Sequence, residues 1–493
     1  MSTPLSSETF AENARAALGD AVLRGALRKA TDLFAERRAT AMASVPDWEA
    51  LRERARAIKD RTLSELDRYL EEFAANAESA GARLHWARDA REACESVATI
   101  ARESGARRLV KSKSMTTEEI GLNQALVRSV GTEPIETDLG EWIIQLAGET
   151  PSHIIVPAIH KTKAQIAELF VEKLALAPTD DAAELTRGAR RILREHFARA
   201  DLGISGVNFA VAETGSILIL ENEGNVRMTT SLPRVHVAVM GIEKVIPRFA
   251  DLEVFLRLLP RSGTGQHLTS YQSILTGPKG RPEGEGPEEL HVVILDNGRS
   301  AMLREPVTRQ SLACIRCGAC LNACPVYREI GGHAYGSVYP GPIGAVITPQ
   351  LAGLEKAREL PFASSLCGAC RDVCPVKIDI PELLLHLRAR VVSRGAKASR
   401  DAHSSEAGLE RREQPVRRPF RAKLERAAFR LWAFAMSSER RYRFAARLAR
   451  LPGSRFLGAR IVFRRWTATR DLPPFAPRSF RELWPELERE ARR

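Results

Sequence analysis

The sequence CIRCGACLNACP at residues 314–325 has the spacing Cys-x2-Cys-x2-Cys-x3-Cys-Pro. This is the spacing of bacterial ferredoxins that carry two iron–sulfur clusters. Three cysteines stepped three residues apart on a tight loop can converge on one cluster. The fourth cysteine, followed by proline, points toward the other cluster. The motif therefore predicts a ferredoxin-type domain with ligands at Cys314, Cys317, Cys320 and Cys324.

A second motif, CGACRDVCP at residues 367–375, repeats the last three cysteines of this pattern, and its first position falls on Ser364. Two-cluster ferredoxins exchange their fourth ligands. We therefore expect two iron–sulfur clusters, each most simply [4Fe-4S]. The expected ligands are Cys314, Cys317, Cys320 and Cys374 for the first cluster, and Cys324, Cys367 and Cys370 for the second.

The second cluster lacks a fourth thiolate, and the sequence leaves three solutions open. The cluster could be [3Fe-4S], or [4Fe-4S] completed by the Ser364 oxygen, by water or by a partner's residue, or [4Fe-4S] completed by the distant Cys94. Structural zinc is the alternative for the whole region, but zinc sites usually present two separated Cys-x2-Cys pairs. Two adjacent clusters with exchanged ligands favour electron transfer over a structural role.

Composition limits the class of protein. The chain has 493 residues, of which 44% are hydrophobic and 27% charged, which predicts several folded domains and excludes wholesale disorder. Only Cys94 lies outside residues 314–374, so the cysteines indicate metal binding and not a disulfide scaffold. A long apolar stretch and a secretory signal are both absent from the sequence, which predicts a cytoplasmic protein. The net charge of +13 admits nucleic acid or anionic lipid as a partner.

The pattern of helical and β-branched segments predicts four regions. Apolar residues recur at helical spacing near the N-terminus, whereas short β-branched runs alternate with helical segments further on. The predicted regions are a helical N-terminal region at residues 1–80, an α/β domain at 81–300, a helical ferredoxin-type domain at 301–400 and a basic, helical C-terminal region at 401–493.

The α/β domain is expected to form a parallel sheet covered by helices. Residues 213–216 are predicted to be a hairpin turn, and the Gly- and Pro-rich residues 276–289 a loop. The predicted strands are residues 108–110, 153–156, 235–239 and 291–295.

Two lysines mark a candidate anion site in this domain. Lys111 and Lys113 follow a predicted strand and precede a helical stretch that begins near Thr116, where an open α/β sheet can bind a carboxylate or phosphate. A solvated basic loop explains the same residues equally well. His160 and His236 are expected to be structural.

The C-terminal region contains a basic amphipathic helix at residues 420–436, with Leu424, Ala428, Leu431 and Ala435 along one side. Residues 440–444 mix arginines with aromatic residues, as nucleic-acid binders do. The helix could lie on anionic lipid. The favoured interpretation is that the apolar side packs on the iron–sulfur domain or a partner subunit and the arginines are solvated.

Several segments resemble one known family. Residues 324–344, CPVYREIGGHAYGSVYPGPIG, and residues 365–370, SLCGAC, closely resemble the lactate utilisation protein B family, the iron–sulfur proteins of the bacterial L-lactate utilisation system. The resemblance extends over nearly the whole chain. It includes VKSKSMTTEE at 110–119, AETGSI at 212–217, DLPP at 471–474 and SFRELW at 479–484.

The resemblance implies a role with two partner proteins in oxidising L-lactate to pyruvate, which allows growth on lactate. It implies the same cysteine ligands and no cysteine at position 364. It also implies a Rossmann-like α/β domain, similar to sugar-phosphate isomerase and CoA-transferase folds. The sequence has no flavin or nicotinamide fingerprint, so we expect a non-catalytic electron-transfer subunit. The alternatives are the iron–sulfur subunit of another hydroxy-acid or disulfide-reducing oxidoreductase, and a redox-sensing nucleic-acid-binding protein.

Overall fold

The computed structural model describes residues 7–281, 283–401, 420–449, 476 and 478–492. The chain divides into two compact units, Met1–Ala398 and Ser399–Arg493. The segment at 471–474 that carries part of the family resemblance lies outside the described residues.

The first unit begins with helices, as the helical spacing predicts. Asp20 begins the second helix by accepting a hydrogen bond from the backbone N–H of Leu23 at 2.9 Å. Leu51 and Phe73 are fully buried and anchor the third and fourth helices in the core. The four helices are α1 (Phe10–Gly19), α2 (Ala21–Ala43), α3 (Trp48–Ser64) and α4 (Leu66–Ser79).

The α/β part alternates strands and helices. Its strands are β1 (Arg83–Ala87), β2 (Leu109–Lys111), β3 (Ile135–Glu136), β4 (Leu202–Gly206), β5 (Phe209–Val211), β6 (Ser216–Glu221), β7 (Val235–Gly241), β8 (Val245–Ile246), β9 (Tyr271–Leu275) and β10 (Glu289–Leu295). Its helices are α5 (Ala90–Glu103), α6 (Met115–Glu119), α7 (Leu122–Val130), α8 (Leu139–Ala147), α9 (Lys163–Leu174), α10 (Ala182–Ala198), α11 (Asn225–Ser231) and α12 (Leu252–Gly263).

Six of these strands form a parallel sheet in the order β1-β10-β7-β4-β2-β3, which confirms the predicted parallel α/β domain. The order places β1 at one edge, whereas dinucleotide-binding folds place their first strand in the middle. Alternate residues of β7 enter different cores. Val237 and Val239 lie on the face of the sheet that packs against α5 and α7. Ala238 and Met240 lie on the other face, in a core that includes the N-terminal helices and the cysteine region.

A second sheet, in the order β8-β5-β6-β9, was not predicted as a separate layer. Strands β5 and β6 pair antiparallel, which confirms the hairpin around residues 213–216. Gly215 has φ +65°, and a Cβ there would lie 2.2 Å from the backbone nitrogen of Ala77, so the turn accepts only glycine. The described residues between β9 and β10 are irregular, as the loop prediction requires.

The predicted strand at residues 153–156 is wrong, because this segment is a series of bends. The His153 ring accepts hydrogen bonds at Nδ1 from the backbone N–H groups of Ile155 and Val156, at 3.0 and 3.1 Å. Ser152 uses its carbonyl to accept from the Tyr327 hydroxyl at 2.7 Å. The apolar run is therefore buried against the cysteine region and not inside a sheet.

The cysteine region belongs to the same unit. Its helices are α13 (Arg299–Arg304), α14 (Ala319–Ala323), α15 (Tyr327–Ile330), α16 (Gly341–Leu351), α17 (Ala369–Asp372) and α18 (Ile380–Asp401). The N-terminal helices pack directly against it. Arg24 pairs with Glu329 at 2.6 Å, and Arg56 donates to the carbonyl of Lys377 at 3.0 Å.

The second unit contains α19 (Phe420–Met436), α20 (Glu439–Ala449) and α21 (Phe480–Ala491). On the predicted apolar side of α19, Ala428 and Leu431 are exposed and Ala435 is partly buried, while the side chain of Leu424 lies outside the described residues. Leu431 is 70% exposed. The interpretation that this apolar side packs on the iron–sulfur domain or a partner subunit stays a prediction. In the described part of the chain, every helix is too short or too polar to cross a membrane.

Candidate iron–sulfur site

The two cysteine motifs have the same backbone conformation. Arg316 precedes Cys317 and has φ 59°, and Leu366 precedes Cys367, at the equivalent position of the second motif, and has φ 57°. Gly318 and Gly368, which follow that cysteine, have φ of 73° and 89°. Each motif then continues into a short helix, α14 or α17, that carries the next cysteine. Left-handed residues on either side of one cysteine curl the chain into a loop that turns N–H groups inward.

The first position of each motif is also equivalent. Cys314 follows the 3-10 helix Thr308–Ala313, and its Sγ accepts a hydrogen bond from the Arg316 N–H at 3.4 Å. Ser364 follows the 3-10 helix Leu360–Phe362 and its C-cap, and its Oγ accepts from the Leu366 N–H at 3.1 Å. Ser364 therefore occupies the place that Cys314 occupies in the first motif.

The first group of thiols is Cys314, Cys317, Cys320 and Cys374. Burial raises the pKa of Cys320 well above its usual value, and the neighbouring thiols of Cys314, Cys317 and Cys374 raise it further. Burial likewise raises the pKa of Cys374 to about 11, with Cys314 adding to the effect. The four thiols are therefore neighbours in the structure. They are the four cysteines that the spacing assigned to the first cluster.

The second group is Cys324, Cys367 and Cys370. Burial raises the pKa of Cys370 to about 12, with contributions from the thiols of Cys324 and Cys367. Cys367 itself is exposed, and the Ala369 N–H and the Ser365 hydroxyl lower the pKa of its thiol. This group reaches the protein surface at Cys367, whereas the first group is largely buried.

The donor sets suit iron–sulfur clusters. Burial and neighbouring thiols disfavour the thiolate forms of these cysteines, and the positive charge of bound iron would offset that cost. Within the described residues, no group of three His, Cys, Asp or Glu side chains converges on a single metal-ion position. In a [4Fe-4S] cluster each cysteine binds a different iron, so the ligands do not converge on one metal ion. Sets of four and three separated thiols therefore fit such clusters.

Positively charged side chains surround the first group. Arg38 of α2 lies beside Cys317 and Cys374, and Arg52 of α3 donates to the Cys374 carbonyl at 2.7 Å. Cys314 has three cationic neighbours whose charges would attract its thiolate: Lys59, Lys244 and Arg316. Burial lowers the pKa of Lys59 and Lys244 to about 8, so both remain mostly protonated at neutral pH.

The second group has other charged neighbours. The Asp372 carboxylate works against the thiolate of Cys367, and Arg388 donates to the Ser364 carbonyl at 3.0 Å. The two groups therefore lie in different electrostatic environments.

A buried carboxylate organises the cations near Cys314. Glu243 accepts from Arg299 at 2.6 Å, lies 3.5 Å from Arg316, and offers its backbone carbonyl to Lys59 at 2.6 Å. Arg299 also pairs with Glu119 at 2.8 Å. Burial favours the protonated acid, but the charges of Arg299 and Arg316 outweigh it and lower the pKa of Glu243 to about 2.

Tyr335 lies near one thiol of each group. Burial raises the pKa of its hydroxyl well above the usual value, and Cys324, Tyr327 and Cys320 raise it further. Cys320 belongs to the first group and Cys324 to the second. Within the described structure the buried hydroxyl makes no hydrogen bond. The tyrosine ring is therefore a buried neighbour of both groups.

Cys94 lies elsewhere. It belongs to α5, and its thiol donates to the Ile120 carbonyl at 3.4 Å. It lines a cavity of about 400 Å³ with residues that include Arg91 and Arg128. Burial raises the pKa of Cys94 to about 11, and no other cysteine contributes. The option in which Cys94 completes the second cluster is therefore wrong.

The candidate anion site at Lys111 and Lys113 is wrong in its geometry. Lys111 is buried and pairs with Glu136 at 2.7 Å and with Glu118 at 3.0 Å. Burial opposes its charge, but Glu136 and Glu118 outweigh burial and raise its pKa. Lys113 donates to the Ile155 carbonyl. Lys111 is therefore neutralised within the protein, so the two lysines do not form a shared anion site.

The remaining candidates have structural contacts. His160 lies 2.7 Å from Glu149, and His236 is fully buried with its ring 2.8 Å from the Ser205 hydroxyl. Burial lowers the pKa of His236 to about 3. Glu213, in the hairpin turn, accepts from the Phe249 N–H at 2.8 Å.

The contribution of cationic side chains from the N-terminal helices to the site was not predicted from the sequence. Arg52, Arg56 and Lys59 recur at spacings of four and three residues, which places them on one face of α3. That row of cations on one helix face was the available signal. Its partners lie more than 180 residues away in sequence, so pattern alone could not connect them.

Comparisons with known families cover most of the chain. Residues 70–295 match the LUD domain, residues 310–378 match a 4Fe-4S dicluster domain, and residues 403–489 match the C-terminal region of lactate utilisation protein B. The dicluster match agrees with the two groups of thiols and indicates iron–sulfur clusters of the [4Fe-4S] kind.

Individual relatives agree along the full length. The chain is 42% identical to lactate utilization protein B of Bacillus pumilus over 500 residues, covering 99% of this chain and 100% of that protein. It is 47% identical to the protein of the same name from Macrococcus caseolyticus over 393 residues, covering 80% and 82%. A crystal structure of a DUF162 family protein from Deinococcus radiodurans matches 47% of this chain and 98% of its own, with 14% identity and a TM-score of 0.25.

Proposed function

The chain belongs to the lactate utilization protein B family, and from this premise we propose that it is the iron–sulfur electron-transfer subunit of a complex that oxidises L-lactate to pyruvate. The observation that carries the proposal is the pair of adjacent thiol groups. One contains Cys314, Cys317, Cys320 and Cys374, and the other Cys324, Cys367 and Cys370.

Oxidation of L-lactate to pyruvate releases two electrons and two protons. When bound, each iron–sulfur cluster supplies one-electron redox chemistry, so a pair can accept two electrons one after the other. The cysteines of this chain hold the clusters, and its buried cations offset the negative charge of the first one. The hydride or proton chemistry at lactate falls to another subunit.

The geometry supports a path through the protein. Cys367 is exposed and gives a partner access to the second group, while Tyr335 is near Cys324 of the second group and Cys320 of the buried first group. In the proposed complex this chain works with two other subunits. We place it in the cytoplasm, where free thiols are kept reduced for iron.

Two experiments test the proposal. The protein purified without oxygen is expected to contain iron and acid-labile sulfide, and electron paramagnetic resonance (EPR) after dithionite reduction is expected to show two interacting reduced clusters. Zinc without sulfide, or clusters that stay in one oxidation state, would contradict the proposal.

Growth tests then address the substrate. A deletion strain is expected to lose growth on L-lactate and to regain it with the wild-type chain but not with Cys317→Ser. Growth on D-lactate and glycolate serves as the control. Loss of growth on glycolate with normal growth on L-lactate would assign the protein to another hydroxy acid.

A further inference from the structure

The fourth corner of the second cluster has a candidate ligand in the chain itself. The assignment rests on the proposed pair of clusters, because it asks which atom holds the iron that no cysteine reaches. Cys94, the one cysteine outside both groups, is engaged with Ile120 in a separate core. The candidate must come from the residues around Cys367.

The pseudo-repeat between the motifs identifies Ser364. In the first motif, Cys314 provides the first thiol, and its sulfur accepts from the N–H two residues ahead at 3.4 Å. In the second motif, the Ser364 oxygen accepts from the N–H two residues ahead at 3.1 Å. The shorter distance is the one expected for the smaller acceptor atom. Both side chains are partly buried.

The loop that follows is also the same in the two motifs. Gly318 offers its carbonyl to the N–H groups of Leu321 and Asn322 at 3.0 and 3.3 Å, and Gly368 offers its carbonyl to those of Arg371 and Asp372 at 2.9 and 3.1 Å. Together with the matching positive φ values, these bonds make the two loops superimposable in their hydrogen bonding. A side chain at the first position is therefore aimed in the same way in each.

The backbone of Ser364 is held in place by a neighbouring helix. Arg388 of α18 donates to the Ser364 carbonyl at 3.0 Å and to the Pro361 carbonyl at 2.7 Å, and its guanidinium stacks over Phe362. These bonds use the carbonyl and do not involve the hydroxyl. Ser365, the next residue, directs its hydroxyl to the Cys367 thiol instead.

We propose that the Ser364 hydroxyl is the fourth protein ligand of the second cluster. On binding, its oxygen gives up a proton to water and forms an Fe–O bond that replaces a solvent ligand on the unique iron, with no change in oxidation state. An alkoxide is a harder ligand than a thiolate and favours ferric iron. The second cluster is therefore harder to reduce than it would be with four cysteines.

The test compares Ser364→Ala and Ser364→Cys with Ser393→Ala as a matched control. Ser393 is an exposed serine of α18 whose hydroxyl donates to the Arg390 carbonyl at 3.2 Å. Each full-length protein is enriched with ⁵⁷Fe and purified without oxygen. Iron and sulfide content, Mössbauer spectra, and EPR of the oxidised and reduced forms are then measured.

The wild type and Ser393→Ala are expected to contain about eight irons, with one iron of the second cluster showing a distinct Mössbauer site. Ser364→Ala is expected to lose about one iron in eight and to gain the EPR signal of an oxidised three-iron cluster. Ser364→Cys is expected to keep all the iron, to lose the distinct site, and to raise the potential of the second cluster without moving the first.

Either of two results would overturn the assignment. The first is a Ser364→Ala protein with the iron content and distinct site of the wild type, which would mean that water or a partner residue holds the corner. The second is a wild-type protein with about seven irons, which would mean a three-iron cluster. Both results leave the electron-transfer proposal intact, since that fails only if the clusters are missing or redox-inactive.

Discussion

Replacing Glu243 by glutamine is expected to destabilise the first unit by about 3 kcal/mol at neutral pH. The carboxylate accepts from Arg299 at 2.6 Å, lies 3.5 Å from Arg316, and its side chain is about 1% exposed. Glutamine keeps the shape and one oxygen acceptor but removes the charge. The cations around it would then face one another without a buried counter-charge.

The magnitude can be worked out in two ways. Burial raises the pKa of Glu243, but the nearby arginines outweigh burial and lower it from 4.5 to about 2. Each pKa unit is worth about 1.4 kcal/mol, which gives about 3 kcal/mol. Breaking a buried ion pair by removing one partner costs about 3–5 kcal/mol in other proteins. Because the pKa is lower in the folded state, the stabilisation is present above the unfolded pKa and is lost as the pH falls from about 4.5 toward 2.

The assay is urea unfolding of the anaerobic holoprotein, followed by tryptophan fluorescence. The matched control is Glu253→Gln, which removes an exposed carboxylate that pairs with Arg257 at 3.1 Å and has a 55% exposed side chain. Exposed pairs contribute at most about 1 kcal/mol. Equal unfolding midpoints for the two variants would refute the view that Glu243 is the buried counter-charge of this site.

Three further predictions concern the site and its surroundings. Arg38→Met is expected to lower the reduction potential of the first cluster and leave that of the second, because it removes a positive charge that acts on Cys317 and Cys374. A unit charge at a separation on the order of 8 Å contributes about 2 kcal/mol at an effective dielectric constant of about 20. EPR-monitored potentiometry checks this, and equal shifts in both clusters would contradict it. Cys94→Ala is expected to keep the iron and sulfide content and the EPR spectrum of the wild type, since its thiol lies in a separate core; loss of iron would be the opposing result. His236 is buried with its pKa lowered to about 3, so it favours folding less as the pH falls below about 6.5, by about 1.4 kcal/mol at pH 5.5. His236→Gln should flatten the dependence of the urea midpoint on pH between 7 and 5.5, and an unchanged slope would show that other groups cause it.

Features with local causes could be predicted from the sequence. In each motif the cysteines are three residues apart, and a glycine follows Cys317 and Cys367. These features determine a loop within a dozen residues, so the motifs alone indicated both thiol groups. Strand β7 was predictable because a run of β-branched residues buried on both faces suits a parallel sheet. The hairpin around Gly215 followed from the same kind of local signal.

Features that depend on distant partners could not be predicted. Residues 153–156 are as apolar as a strand, but the ring of His153 accepts from the next backbone N–H groups, those of Ile155 and Val156. The Ser152 carbonyl accepts from the Tyr327 hydroxyl. Lys111 follows a strand where ligands often bind, yet Glu118 and Glu136 neutralise it. Neither outcome is encoded in spacing, since each is decided by which side chains the finished fold places nearby.

The N-terminal helices bring positive charge to the first group of thiols, and their composition alone does not show this. Adding an electron to a buried cluster adds negative charge in a medium of low dielectric constant, which is unfavourable without nearby cations. Arg38 of α2, together with Arg52 and Lys59 of α3, brings positive charge to the first group of thiols, whereas the Asp372 carboxylate acts on Cys367 of the second. Both clusters carry similar intrinsic charge, so this difference in surroundings favours the electron on the first. Electrons that enter near the exposed Cys367 would therefore move inward past Tyr335. If the chain transfers electrons as proposed, the helices that precede the α/β domain add their charges to that of Arg316 within the motif and favour reduction of the first cluster.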